Sequence, residues 1–315
     1  MSTAATKLRR YDPTRDFLRV RDFLARTYRA FDRPLNWRIE RWNYARYFEA
    51  PYLCRDEEIT PEKSREAIRS WEDSVGMWED DSDGVVGVVH TEHPAPGDAF
   101  IERHPKHAHL LEDMLDYAEA NLADREKKTI RLFVYEHDRD MLSLMRQRAY
   151  RKVEEDWDYD QEYTIRKLPE PNLPKGFSFA SMEGRDDLEA RGRAFGLGFD
   201  HPEPMHWAPA HVYEELQRAP DYRKDLDLSV LAPDGEFASF CIMWHDAMNR
   251  IGILEPVGTL PRYRKMGLAR EVIYEGIRRV AALGAQKIIV GGGQKYYQSI
   301  GFEKSHMCYG WTRNL

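Results

Sequence analysis

Residues 255–269 read EPVGTLPRYRKMGLA, and residues 270–284 continue REVIYEGIRRVAALG. An apolar strand-like run closes at Pro261. A helix then carries Leu268, Val272, Ile273, Ile277 and Val280 at helical spacing and stops at Gly284. Between the two lies Arg264-Lys265-Met266-Gly267-Leu268-Ala269, and Arg262, Arg264, Lys265 and Arg270 all fall within nine residues. The first turn of a helix has unpaired N–H groups and a partial positive charge, so this junction is suited to holding a phosphate. Gly267 lets backbone approach an anion closely, and Ala269 keeps the wall low. The pattern is short, and a basic, solvated helix start is its plain alternative. The surrounding chain decides between them.

Working outward, the two halves of the chain repeat one order of elements. SVGMWEDDSDGVVGVVHTEH (74–93) and LDLSVLAPDGEFASFCIMWHD (226–246) each place an Asp-Gly turn between apolar runs, so Asp83-Gly84 aligns with Asp234-Gly235. A strand ending at a proline follows, AFIERHP in the first half and IGILEPVGTLP in the second, aligning Pro105 with Pro261. Next come an amphipathic helix (HAHLLEDMLDYAEANL, then GLAREVIYEGIRRVAALG), a short apolar strand (TIRLFVY, then KIIVGG), and a short helix leading into a turn and final strands (LSLMRQRAYRK, then YYQSIGFEK). The seam is RKLPEPNLPKGF, residues 166–177. Its three prolines remove backbone donors and hold the segment extended.

On EPVGTLPRYRKMGLA (255–269) and YYQSIGF (296–302), the second half resembles the GNAT superfamily of N-acetyltransferases. In that family a strand feeds a Gln/Arg-x-x-Gly-x-Gly/Ala loop that grips the coenzyme A pyrophosphate. One helix and one strand later comes a Tyr-x-x-x-Gly-Phe helix end, which Tyr297-Gln298-Ser299-Ile300-Gly301-Phe302 matches. Ala269 stands where a second glycine is commoner. The resemblance implies two tandem α/β units, each a mixed, mostly antiparallel central sheet flanked by helices: a degenerate GNAT-like domain at 1–166, a proline-rich linker at 167–175 and a catalytic GNAT domain at 176–315. It implies acetyl-CoA as co-substrate, with Arg264, Lys265, Met266, Gly267, Leu268, Ala269 and Arg270 at the pyrophosphate. Val257, Gly258 and Thr259 would run along the pantetheine arm, and Tyr297 would protonate the departing thiolate.

Elementary chemistry agrees with these roles. Amine attack on a thioester needs a free-base amine, a donor for the developing oxyanion and help for the leaving thiolate. Tyrosine, with a pKa of about 10, can donate to a thiolate, and Glu255 is the candidate base. The alternatives are a packed aromatic beside Tyr296 and a solvated strand-end carboxylate. Gly291-Gly292-Gly293 is either a close-approach turn that admits pantetheine or an ordinary loop. The first half has KHAHLLED where the second has RYRKMGLA, and Met145 where the second has Tyr297. It reads as a repeat without phosphate cradle or acid, one that shapes the substrate cleft.

Composition sets the outer limits. The chain has 315 residues, enough for two domains, with 47 basic and 54 acidic residues and a net charge of −7. That balance argues against a general nucleic-acid binder. Three scattered cysteines, no signal-like N-terminus and no long apolar run suit a cytoplasmic protein without a membrane span. His201, His206 and His211 are five apart among prolines and share no helix face, so no metal site is expected. The resemblance to the GNAT superfamily implies that this region lines the acceptor site, with contacts at His206, Trp207 and Tyr213. WEDDSD (78–83) reads as a hairpin turn, not a calcium loop. EEDWDYDQEY (154–163) reads as an exposed strand. The functional expectation is transfer of acetyl to a primary amine of a small molecule or a protein, by direct attack. A non-catalytic acyl-CoA-binding regulator is the alternative, and a homodimer the assembly to be considered.

Overall fold

Runs of apolar residues bounded by turn chemistry form the sheets. FASFCIMWHD (Phe237–Asp246) is buried along nearly its whole length, as a strand covered on both faces must be. In the computed structural model, residues 6–28, 30, 31, 33–52 and 58–315 are described. Cys54 lies outside them. In chain order the first elements are β1 (Thr6–Arg10), α1 (Pro13–Thr27), α2 (Ile39–Tyr44), α3 (Ala50–Tyr52), α4 (Pro61–Ser74), β2 (Gly76–Asp80), β3 (Val85–His90), β4 (Asp98–Arg103), α5 (Leu111–Asn121), β5 (Thr129–Tyr135), α6 (Arg139–Gln147) and β6 (Arg151–Thr164). Then follow β7 (Ser178–Ser181), α7 (Leu188–Gly198), α8 (Ala210–Leu216), β8 (Asp227–Leu231), β9 (Phe237–Asp246), β10 (Ile251–Thr259), α9 (Leu268–Ala282), β11 (Lys287–Val290), α10 (Lys295–Ser299) and β12 (Glu303–Asn314).

Two compact units result. The first takes Met1–Leu53, Arg65–Tyr159 and His306–Leu315, and the second Cys54–Ser64 and Asp160–Ser305. Each carries a mostly antiparallel sheet with one internal parallel pair, β4 with β5 in the first and β10 with β11 in the second. The repeat seen in the sequence is present: hairpin β2–β3, β4, α5 and β5 correspond to hairpin β8–β9, β10, α9 and β11. At Asp80–Gly84 the Asp80 carboxylate accepts the N–H groups of Ser82 and Gly84, so WEDDSD is a hairpin turn.

The expected linear boundaries, 1–166 and 176–315, are corrected at the final strands. Gln161–Thr164 at the end of β6 pairs antiparallel with β11 and belongs to the second unit. Cys308–Asn314 of β12 pairs antiparallel with β5 and belongs to the first. Burial explains the exchange: Tyr163 fills the second unit's core beside Phe302, whereas Trp311 fills the first unit's core with Leu132 and Val134. The acidic stretch is therefore exposed at Trp157 but buried at Asp160, Gln161 and Tyr163. The proline segment has no regular structure, yet it is not free. Leu168 and Leu173 pack on the second core, and the Asn172 N–H donates to Glu271 on α9 at 2.9 Å.

Candidate active site

The second unit opens where two parallel strands part. β10 and β11 pair only from Ile251 to Ile253, and β11 ends at Val290 while β10 runs on to Thr259. Leu260 donates its N–H to Ala238 on β9, so Gly258 also faces β9, and Val257 and Thr259 present their backbone groups to the open side. A cleft of about 490 Å³ fills the gap. Val257, Gly258 and Thr259 form one wall, and Gly267, Leu268 and Ala269 its floor. Gln294, Tyr296 and Tyr297 stand opposite, and Gly198, Tyr263, Arg264 and Lys265 complete the rim.

At the floor, Gly267 is the N-cap of α9 with φ 82°, a left-handed conformation that costs other residues free energy. No side chain caps this helix, and no hydrogen bond among the described residues takes the N–H groups of Lys265 to Arg270. The four cations counted in the sequence behave differently. Arg262 turns away to Asp234 and Glu236, and Arg270 lies on Glu271. Arg264 binds the carbonyls of Thr259 and Gly198 and the carboxylate of Asp200. Lys265 alone of the four has no ion pair among the described residues. Met266 is exposed and, like Arg270, does not line the cleft.

The opposite wall rests on Gln161, which is fully buried and donates its amide to the carbonyls of Gly292 and Gln294 at 2.8 and 3.1 Å. That bond fixes the glycine loop leading into α10. Tyr297 is 6% exposed, and its hydroxyl has no hydrogen-bond partner among the described residues while its side chain lines the cleft. Burial first, and the nearby Glu255 charge second, push its pKa up, so the hydroxyl stays protonated. Burial likewise pushes Tyr296 up to about 12. Glu255 sits at a register shift in β10, where its carbonyl accepts the Trp244 indole N–H at 2.8 Å. It is close enough to act electrostatically on Tyr297 but is not among the cleft-lining residues.

The acceptor residues expected at 206–213 are not brought to this cleft. Tyr213 is corrected outright: it is fully buried, its hydroxyl accepting from Arg191 at 2.9 Å, and Arg191 is in turn paired with buried Asp227. Trp207 donates its indole N–H to the His201 carbonyl and packs on Gly196, while His206 pairs with Glu203. His211 meets Ser64. Sequence reasoning missed Gly198, Tyr263, Gln294 and Tyr296; of these only Tyr296, adjacent to the Tyr-x-x-x-Gly-Phe pattern, carried any signal.

The corresponding place in the first unit is closed. β4 and β5 pair only at Asp98 and Ala99, but Phe100 stacks on Phe133, and Trp37 packs on both Phe100 and His90. Buried Arg103 at the end of β4 forms a two-bond ion pair with Asp138, both distances 2.7 Å. The helix start at Leu111 has no glycine, and Met145 is part of the core.

Two split-sheet α/β units, one closed and one opening onto a bare helix N-terminus, are the class of architecture that these observations define. The particular fold is that of tandem GNAT proteins. No protein-family model and no curated protein sequence matches the chain. Among solved structures it is similar to a tandem GNAT protein from the clavulanic acid biosynthesis pathway, at 11% identity and TM-score 0.65 over 98% of both chains. It is also similar to a GCN5-related N-acetyltransferase from Sphaerobacter thermophilus, at 15% identity and TM-score 0.59 over 99% of this chain and 96% of the other. Saccharomyces cerevisiae N-myristoyltransferase shares the fold more distantly, at 11% identity and TM-score 0.55, over 100% of this chain and 80% of that one. At such identities the likeness is one of fold.

Proposed function

We propose that the protein is an acyl-CoA-dependent N-acyltransferase, moving acetyl from acetyl-CoA to a primary amine in the second unit's cleft. One observation carries the reading: a single cleft joins an uncapped helix start, an unpaired strand edge and a protonated, unpartnered tyrosine hydroxyl. Such a set fits coenzyme A. The N–H groups of Met266 to Arg270, with Lys265, suit a pyrophosphate. The β10 edge, open at Val257 and at the Thr259 N–H while Arg264 holds the Thr259 carbonyl, suits the amides of a pantetheine arm. Bound acetyl-CoA would supply an activated thioester carbonyl.

The chain's own groups do the rest. An unpaired N–H on the β10 edge can donate to a carbonyl oxygen on which negative charge develops. Glu255 is the base for the attacking ammonium, directly or through water. Tyr297 gives its proton to the thiolate sulfur as the C–S bond breaks. Burial chiefly, and the Glu255 charge second, hold the Tyr297 pKa up, so a proton arriving on Glu255 removes the second of these influences as the thiolate departs. Direct transfer is the preferred route, since Cys241 is buried and no Cys or Ser lines the cleft among the described residues. The protein is read as cytoplasmic; among the described residues no helix is long and apolar enough to cross a membrane.

The deciding experiment incubates the protein with acetyl-CoA and a panel of small amines and amine-terminated peptides, following thiol release. At least one amine should accelerate release above the hydrolytic background. Tight acetyl-CoA binding with no acceleration by any amine would favour the non-catalytic regulator.

A further inference from the structure

We infer that Arg264 is a positioning residue, a clasp that holds the C-terminus of α7 against the open end of β10, and that Lys265 is the cation facing the phosphates. The inference rests on the coenzyme A reading of the cleft given above. Arg264 Nε donates to the Thr259 carbonyl at 3.1 Å, and Nη2 donates to the Gly198 carbonyl at 3.2 Å and pairs with Asp200 at 2.8 Å. Thr259 and Gly198 both line the cleft, one from β10 and the other from α7. The guanidinium edge formed by Nε and Nη2 is occupied by these acceptors, so it cannot also chelate a phosphate.

The end of α7 is built to receive the clasp. His201 donates its N–H to the Gly196 carbonyl and Asp200 to the Leu197 carbonyl, which closes the helix in a left-handed turn at Asp200, φ 62°. Glycine is the usual residue there; aspartate tolerates the conformation and adds the carboxylate that holds Arg264. The Gly198 carbonyl, left over in the last turn, gains a cationic donor at the negative end of the helix. Contact is close because a Cβ on Gly258 would lie 2.4 Å, and one on Gly198 2.9 Å, from the Phe240 ring. Bare backbone on both sides lets α7 and β10 close on Phe240, and Arg264 locks them there.

The test uses the full chain and two ligands, coenzyme A and pantetheine, which lacks the nucleotide and all phosphates. Arg264→Lys keeps the charge and loses the fork. It should weaken both ligands by the same factor, at least about tenfold. Amide exchange at Phe199, Asp200 and His201 should quicken by at least about tenfold while the amides of α9 keep wild-type rates. Lys265→Gln should weaken coenzyme A alone, with exchange unchanged. Asp200→Asn, which keeps the turn, should quicken the same three amides more mildly, and it carries the test if Arg264→Lys fails to fold. An Arg264→Lys protein that loses coenzyme A but keeps pantetheine and wild-type exchange would make Arg264 a phosphate ligand and overturn the clasp. Wild-type affinity and wild-type exchange would also overturn it. If the wild type binds no coenzyme A, the reading of the cleft falls, and exchange at the three amides alone decides the clasp.

Discussion

At the scale of single residues, the proposed chemistry converges on Tyr297. The Tyr-x-x-x-Gly-Phe pattern made it legible as a candidate; its burial, its unpartnered hydroxyl and its proximity to Glu255 were not, because they depend on residues brought to it from distant parts of the chain. Tyr297→Phe keeps the ring and its contacts with Tyr296 and Phe302. Turnover should fall at least about tenfold, with the acetyl-CoA KM moving less than about threefold, since the role proposed for the hydroxyl lies in the transition state. The raised pKa also sets the pH profile. A phenol held protonated cannot be lost as pH rises through about 10, the ordinary tyrosine value, so wild-type kcat should show no descending limb there. Steady-state rates with the amine found by the panel check both points. Full turnover in the phenylalanine variant would remove Tyr297 from the mechanism. Tyr213 teaches the opposite lesson: the family resemblance suggested an acceptor contact there, but Arg191 and Asp227 hold it in the core.

At the scale of elements, the start of α9 matters most. Its periodicity, its glycine and its closing Gly284 were all readable, because each is a property of residues adjacent along the chain. How many of its cations stay without an ion pair was not readable; Glu236, Asp200 and Glu271, contributed from outside the loop or by the helix itself, take three of them. Gly267→Asp introduces a negative charge at the proposed phosphate site and a side chain at φ 82°. Coenzyme A affinity should fall by at least about 2 kcal/mol, roughly thirtyfold. Gly267→Asn, which tolerates the left-handed conformation and adds no charge, should lose less. Calorimetric titration checks the pair and should show one coenzyme A per chain in the wild type. The first unit's matching gap is packed with Phe100, Phe133 and the Arg103–Asp138 pair. Equal losses in both variants would assign the effect to backbone strain and not to phosphate binding.

At the scale of the whole molecule, the halves of the sequence are not the halves of the fold. A protease nick between residues 166 and 176 leaves an N-terminal fragment carrying Gln161–Thr164, which the second unit needs beside β11. The C-terminal fragment carries Cys308–Asn314, which the first unit needs beside β5. The nicked fragments should therefore co-elute on native gel filtration and part only in denaturant. Separation into two folded pieces without denaturant would contradict the exchange. By itself the sequence determined the repeat, the α/β order, the hairpin turns and the glycine-led helix start. All of these follow from periodicity, turn chemistry and capping among near neighbours. Only the tertiary structure decided which strand completes which sheet, which arginine binds backbone carbonyls, and which gap between parallel strands stays open. Strand edges offer the same N–H and C=O groups everywhere, so partner choice is settled by distant side chains: Tyr163 fits one core and Trp311 the other.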